Sequence, residues 1–450
     1  LSYDHVFCDR SCPIISGEHV TLEEGTGLVH TAPGHGTDDY IVGLANKLDI
    51  YCPVLGDGTY DETVPDFLQD LSVWDANDVV VKRLQSSNHL YHVSMIQHSY
   101  PHDGRSKTPV IFRSTEQWFV HVDKDVRDGK SMREMALQAT ENDITFYPAW
   151  AQNRMRGMLE SRPDWCLSRQ RSWGLPIPAF VKPDGDVLLT PCTIRSISKV
   201  FAEHGSDAWF TQAPEVLLES WENPDNIKLS TLEKMYDIFD VWFESGTSWH
   251  AVMQAREQGY PIDLYLEGSD QHRGWFQLSM LPALGVTGVS PFKSVITHGF
   301  MVGKDGKKMS KSGGNALGVE GLLKDFGADV CRWWVGSLAH DNDIKVDMSF
   351  FEIASESYRK VRNTLRFLLG NIGDADNAQI NPSSIDGWVL GELSKLATKV
   401  RAAFDSYEFR VAQQALYNFC NDTLSATYCA AVKDRLYCDG AESPRRKQTA

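Results

Sequence analysis

The sequence predicts an α/β protein: a parallel sheet with crossover helices, preceded by a β-rich segment and followed by an α-helical bundle. Three features carry this reading. Strand-like and helix-like stretches alternate between residues 237 and 336, strand signals vanish from Phe350 onward, and short apolar runs flank a glycine-rich turn at residues 20–31. Alternation of that kind implies a parallel sheet whose ligands gather at the carboxyl ends of the strands.

Taken in order, residues 20–31 read as two short strands joined by a turn. The loop Ala32-Pro33-Gly34-His35-Gly36-Thr37 then leads to Asp38 and Asp39, placed to cap a helix over 40–48, with Asp38 as the N-cap. A strand feeding a glycine loop and a helix leaves backbone amides free at a pocket rim. Residues 101–180 are dense in Pro, Arg and Trp, which suggests irregular connections packed against a larger domain. Within the alternating region, 262–267 reads as a strand, 271–284 as a helix, 294–298 as a strand and 319–326 as an amphipathic helix. In the tail, Ala354, Tyr358, Val361, Leu365 and Leu368 share one helical face beside a stripe of Arg359, Arg362 and Arg366. The period returns in Val389, Leu393, Leu396, Val400 and Phe404.

Composition narrows the class. With 450 residues, 42% hydrophobic and 23% charged, the chain is an ordinary globular protein of roughly two to four domains. No apolar run approaches the roughly 20 residues needed to span a bilayer, so a cytoplasmic protein without a membrane partner is expected. The nine cysteines are odd in number, scattered and never in a Cys-x-x-Cys pair, so reduced thiols and no metal site are expected. A net charge of -16 argues against a nucleic-acid coat, yet local basic clusters remain, at Arg154, Arg156, Arg162, Arg169 and Arg171 and at Lys304, Lys307, Lys308 and Lys311. Taken singly, each cluster reads first as solvated surface.

Two segments sit where a parallel sheet would present ligands. The first runs from Lys304 to Asn315 and holds Lys308-Met309-Ser310-Lys311-Ser312. Its ammonium groups suit a polyphosphate whose α-phosphate is attacked, because charge then grows on the phosphate oxygens. The second, Glu267-Gly268-Ser269-Asp270-Gln271-His272-Arg273-Gly274-Trp275, puts a carboxylate at a strand end and an indole just inside a helix. A carboxylate there can accept from an ammonium or a ribose hydroxyl, and two indoles can wall an apolar slot. Core packing is the default reading of any one tryptophan.

Lys308-Met309-Ser310-Lys311-Ser312 resembles the signature loop of class I aminoacyl-tRNA synthetases, and the second segment resembles the strand-to-helix stretch of the isoleucyl enzymes of bacterial type. The resemblance implies the second half of a Rossmann-like catalytic domain. In it Glu267, Gly268, Asp270 and Gln271 would meet the aminoacyl-adenylate, Trp242 and Trp275 would wall the isoleucine pocket, and Lys308, Ser310 and Lys311 would bind ATP with Mg²⁺, the two lysines catalytically. Residues 25–40, with His30-Thr31-Ala32-Pro33-Gly34-His35-Gly36-Thr37-Asp38-Asp39, resemble the family's editing signature. By that resemblance His30 would position the ester end and Asp39 would hold the ammonium of a misattached valine.

The implied organisation is a partial editing domain at 1–100, the catalytic half at 101–345 and the start of an anticodon-binding bundle at 346–450. The implied partners are tRNA(Ile), isoleucine and ATP, with a monomer expected. The family is about twice as long, so the chain reads as an internal piece. The other class signature, His-Ile-Gly-His, the Thr-rich half of the editing pocket and the family's zinc-binding region would lie outside it, and the piece alone would not aminoacylate. A valyl-specific enzyme and a stand-alone tRNA-binding or trans-editing deacylase are the alternatives. His30 and the Pro33-Gly34-His35 run speak against the valyl enzyme, since valyl and leucyl relatives carry Pro-Ala-His where this chain has Pro-Gly-His.

Overall fold

The computed structural model describes residues 1–21, 26–104, 106–303, 306, 309, 318–372 and 379–450. The chain divides into two compact units, Leu1–Gln117 and Trp118–Ala450.

In the first unit, β1 (Ser2–Asp4) and β2 (Ser11–Pro13) form an antiparallel pair. Helix α1 covers Thr37–Ala45 and α2 covers Val73–Ser86. The Ser72 hydroxyl caps α2 by accepting the Asp75 N–H, and a small apolar cluster gathers Val64, Leu68 and Ala76. The strands expected over 20–31 do not form among the described residues. Leu28 and Val29 are 75% and 55% exposed, and a strand exists only through a ladder to a partner.

The second unit opens with two short antiparallel pairs, in which β3 (Phe119–Val120) meets β7 (Trp165–Cys166) and β4 (Asp125–Arg127) meets β5 (Lys130–Ser131). Between them lie α3 (Met132–Asn142), β6 (Thr145–Tyr147) and α4 (Trp150–Glu160). The expectation of irregular connections over 101–180 is therefore corrected. Both helices are eleven residues long, and the local density of Pro, Arg and Trp hid a capping box, Ser131 with Glu134, that the sequence does carry.

Next, β8 (Ser168–Arg169) precedes a small module of β9 (Phe180–Val181), β10 (Val187–Leu188), α5 (Pro191–His204), α6 (Ala208–Thr211), α7 (Pro214–Leu217) and β11 (Glu233–Lys234). Phe180, Ile197, Trp209 and Leu217 form its own core. Strand β12 (Ile238–Phe239) returns to pair with β8 and leads into α8 (Val241–Gly246).

The main sheet then closes with β13 (Tyr265–Gly268), α9 (Trp275–Thr287) and β14 (Ser294–His298), in the order β13-β14-β6 and parallel throughout. Val295, Ile296 and Thr297 of the central strand are all buried, as a parallel strand covered on both faces must be. Met135 and Ala139 of α3, Met155 and Leu159 of α4, and Phe276, Met280 and Leu284 of α9 complete this core. The helix expected over 271–284 is shifted. A 3-10 turn takes Ser269–His272, and α9 starts at Trp275 because the Gln271 side chain, not a residue of the helix itself, receives its first N–H.

Beyond the sheet, β15 (Met301–Val302), α10 (Val319–Phe326), α11 (Ala328–Gly336) and β16 (Ile344–Lys345) enclose a cluster around Val330 and Trp334. The helical tail comprises α12 (Met348–Leu369), α13 (Ile385–Asp405), α14 (Phe409–Asn418), a π-helical stretch Phe419–Cys429, α15 (Ala430–Tyr437) and α16 (Pro444–Thr449). Of the apolar faces expected there, Ala354 and Val389 are buried, but Leu365, Leu393 and Phe404 are exposed. Ala403 turns inward in place of Phe404, so the buried stripe is narrower and lies one position away.

Candidate active site

In the parallel register Glu267 lies opposite Thr297 and Gly268 opposite His298, so the carboxyl ends of β13 and β14 form one edge. Glu267 is exposed at that edge, and its Oε2 accepts the Gly268 N–H at 3.3 Å. The turn after β13 brings the next groups round. Gln271 Nε2 lies 3.4 Å from Asp270 Oδ2, and Gln271 Oε1 accepts the Trp275 N–H at 3.0 Å. Gly274 sits tightly between them and α8, for a Cβ at Gly274 would stand 2.5 Å from Gln271 Oε1 and 3.5 Å from Trp242 Cη2. Gln271, Trp242 and Trp275 are thus neighbours across the α8–α9 interface.

Both indoles are fixed. Trp275 stacks on Tyr265 at 4.0 Å and 10° and donates its Nε1–H to the Ser245 carbonyl at 2.9 Å. An aromatic pair of that kind is worth roughly 0.5–1.5 kcal/mol beyond its area. Trp242 is the second residue of α8, whose N-cap is Asp240. That carboxylate, 5% exposed, accepts from the Trp242 N–H at 3.1 Å, the Trp165 indole at 3.1 Å and the Arg169 guanidinium at 2.8 Å. Buried charge persists only when so satisfied. Sequence reasoning missed Asp240, although Asp240-Val241-Trp242 has the pattern of a capped helix start.

Behind the edge, His272 is fully buried, with Nε2 3.0 Å from Thr297 Oγ1. Burial, reinforced by the nearby Arg154 charge, lowers its pKa to about 4, so the ring is neutral at pH 7.

Of the other segment, Lys308, Ser310 and Lys311 lie outside the described residues. Met309 is described. Its N–H faces the Met301 carbonyl at 3.4 Å, and its side chain packs against the Val330 and Trp334 cluster. Met301 begins β15, three residues past the end of β14, so this point of the lysine segment is tied to the chain leaving the same sheet edge.

In the first unit, Asp39 Oδ2 accepts the Ala32 N–H at 3.1 Å and so closes the loop on which it sits. His35 Nδ1 lies 2.9 Å from the Phe112 carbonyl, and the Ser114 N–H donates to the Gly34 carbonyl at 2.7 Å. Gly34 is required because a Cβ there would collide with the Tyr51 carbonyl. His30 is exposed two residues before Ala32. Asp38 is not the N-cap. Gly36 is, and Asp38 and Asp39 both fall in the first turn of α1, where carboxylates favour the helix dipole without capping it.

A three-stranded parallel edge bearing Glu267, beside indoles on α8 and α9, has the form of a class I synthetase half-domain. Residues 19–347 match the family described as tRNA synthetases class I (I, L, M and V), and residues 386–450 match the anticodon-binding domain of tRNA ligase. The chain belongs to the class I tRNA synthetases of that group. Among curated relatives it is 43% identical over 449 residues to the isoleucine–tRNA ligase of a Nitratiruptor species, which covers 97% of this chain and 48% of that protein. It is also 43% identical over 455 residues to the isoleucine–tRNA ligase of Syntrophotalea carbinolica, covering 99% of this chain and 48% of the relative. The chain therefore spans about half the length of the curated relatives it matches. In fold it resembles the methionyl-tRNA synthetase of Mycobacterium tuberculosis solved with methionyl-adenylate, with TM-score 0.52 at 15% identity, over 77% of this chain and 58% of that one. No helix among the described residues is long and apolar enough to cross a membrane.

Proposed function

We propose that this chain is part of an isoleucine–tRNA ligase, which joins isoleucine to tRNA(Ile) through isoleucyl-adenylate and hydrolyses misattached valine. The observation that carries the reading is the cluster of Gln271, Trp242 and Trp275 beside Glu267 at one sheet edge, in a sequence 43% identical to isoleucine–tRNA ligases. In this reading the isoleucine side chain lies between the two indoles, and Glu267, Gly268, Asp270 and Gln271 face the adenylate. The isoleucine carboxylate attacks the α-phosphorus of ATP and pyrophosphate leaves. Lys308 and Lys311, with Ser310, meet the phosphate oxygens, on which charge grows in the transition state. Mg²⁺ would neutralise the polyphosphate. No three His, Cys, Asp or Glu side chains among the described residues gather to hold a metal.

The domain assignment follows the same reading, with an editing portion at 1–100, a catalytic half at 101–345 and anticodon-binding helices at 346–450, acting as a cytoplasmic monomer. Arg359, Arg362 and Arg366, all exposed on α12, suit tRNA phosphates. His30 and Asp39 belong to the proofreading site. One methylene in an apolar pocket is worth only roughly 1–3 kcal/mol, a limit for which isoleucyl enzymes are the standard case. A second site that hydrolyses the smaller product removes the error.

The test is calorimetric titration of the chain with isoleucyl- and valyl-sulfamoyl adenosine, non-reactive mimics of the two adenylates. Tighter binding of the isoleucyl compound, by roughly 5- to 150-fold for that methylene, is expected. Equal binding, or preference for the valyl compound, contradicts the assignment.

A further inference from the structure

We propose that Tyr265 sets the length of side chain that the candidate amino-acid slot accepts, acting as a positioning residue through Trp275. The inference rests on the ligase reading and names a specificity determinant behind the slot. Tyr265 is 2% exposed, so a ligand at the sheet edge cannot touch it and its influence has to pass through a neighbour.

That neighbour is Trp275. Tyr265 covers one face of the indole, with ring centroids 4.0 Å apart and planes 10° from parallel. The bond from Trp275 Nε1 to the Ser245 carbonyl holds the indole at one edge. A bond at one edge stops the ring sliding but lets it rock, so its depth is set by what lies behind it. Tyr265 has no room to yield. It packs in turn on Phe292, 1% exposed, at 4.5 Å and 40°, and its backbone sits in the parallel ladder opposite the fully buried Val295. Trp275, Tyr265 and Phe292 form a row that runs from the slot into the core of the sheet.

The strand adds a spacing. Side chains alternate along β13, so Tyr265 and Glu267 leave it on the same face, about 7 Å apart. One strand therefore fixes the back of the slot relative to the carboxylate assigned to the adenylate. The phenol reaches both helices of the slot. Burial raises its pKa, while Ser279 of α9 and Ser248, two residues past α8, oppose that rise, and the ring carries no charge at pH 7.

The 450-residue chain and Tyr265→Leu are titrated calorimetrically with isoleucyl-, valyl- and methionyl-sulfamoyl adenosine. Without the ring the indole can settle back and the slot deepens. The preference for the isoleucyl over the valyl mimic is expected to fall by roughly 2- to 13-fold, the worth of one aromatic pair, and the methionyl mimic to gain on the isoleucyl one. Tyr265→Phe keeps the ring and is expected to keep the preference. In a Trp275→Ala background, adding Tyr265→Leu is expected to change the preference no further, because the wall through which it acts is gone. A substitution that only loosened the core would weaken all three mimics alike. Equal weakening, an unchanged preference, an equal loss in Tyr265→Phe, or a full effect of Tyr265→Leu without Trp275 each overturns the proposal. If Tyr265→Leu does not fold, Tyr265→Met is titrated with the same expectations. An isoleucyl preference that the variants leave untouched overturns the proposal and spares the ligase reading, whereas its absence from the unaltered chain overturns both.

Discussion

The side-chain oxygen of Gln271 accepts the backbone N–H of Trp275 at 3.0 Å, which ties the proposed adenylate contact to the proposed wall of the amino-acid slot. One amide therefore does two things. Its oxygen serves α9, and its nitrogen is turned toward Asp270 and the sheet edge.

Removing that amide separates the roles. Gln271→Ala is expected to cost about 1 kcal/mol of stability, as loss of a helix N-terminal acceptor does, and to weaken the isoleucyl mimic. Gln271→Glu keeps the acceptor and is expected to restore stability without restoring affinity. Urea denaturation and calorimetric titration of the two variants check this; parallel recovery of both properties would show that the side chain acts on structure alone.

The α8–α9 contact depends on Gly246, where a Cβ would run into the Leu278 carbonyl. Gly246→Ala is expected to push the helices apart, at roughly 1–3 kcal/mol. Because Trp242 and Trp275 ride on the two helices, the preference for the isoleucyl over the valyl mimic should shrink as well. Unchanged selectivity in a destabilised variant would detach the slot from the helix pair.

Asp240 is the buried acceptor on which Trp165, Arg169 and Trp242 converge. Asp240→Ala leaves the Trp165 indole N–H without its acceptor and the guanidinium without its counter-charge. Breaking a buried pair costs roughly 3–5 kcal/mol; a value toward the lower end is expected, because Arg169 is 36% exposed and water can reach it. Thermal or urea unfolding measures it, and a loss below about half of one typical hydrogen bond's net 1 kcal/mol would show the network to be idle.

His272 gives a pH dependence of definite sign. Its pKa falls from 6.5 to about 4 on folding, so between those values the unfolded chain binds more protons and stability rises with pH. The contribution is complete above pH 6.5 and is lost as pH falls toward 4, by roughly 3 kcal/mol in all. His272→Asn should remove that part of the slope of unfolding free energy against pH between 6.5 and 4. An identical slope in the variant would place the acid sensitivity elsewhere.

The sequence made most of this edge legible and much of its support invisible. Ser294–His298 and Val319–Phe326 form where periodicity placed them, since a fully buried apolar run and an amphipathic octet each have one good solution. The start of α9 is not legible in the sequence, because a side chain three residues before the N-cap takes the first N–H, an arrangement with no compositional mark. The runs at 20–31 have the apolar content of strands, yet pairing is not a property of one segment. Glu267, Gln271, Trp242 and Trp275 could be named from motifs, whereas Asp240 and His272 matter through burial, which only the assembled sheet reveals.

The most direct test of the shared edge is a crystal structure of the chain with isoleucyl-sulfamoyl adenosine bound. The ligand is expected to lie between Glu267 and Lys311, with its branched side chain against Trp242 and Trp275. A ligand seated away from the carboxyl ends of β13 and β14, or Lys311 facing a different surface from Glu267, would contradict it.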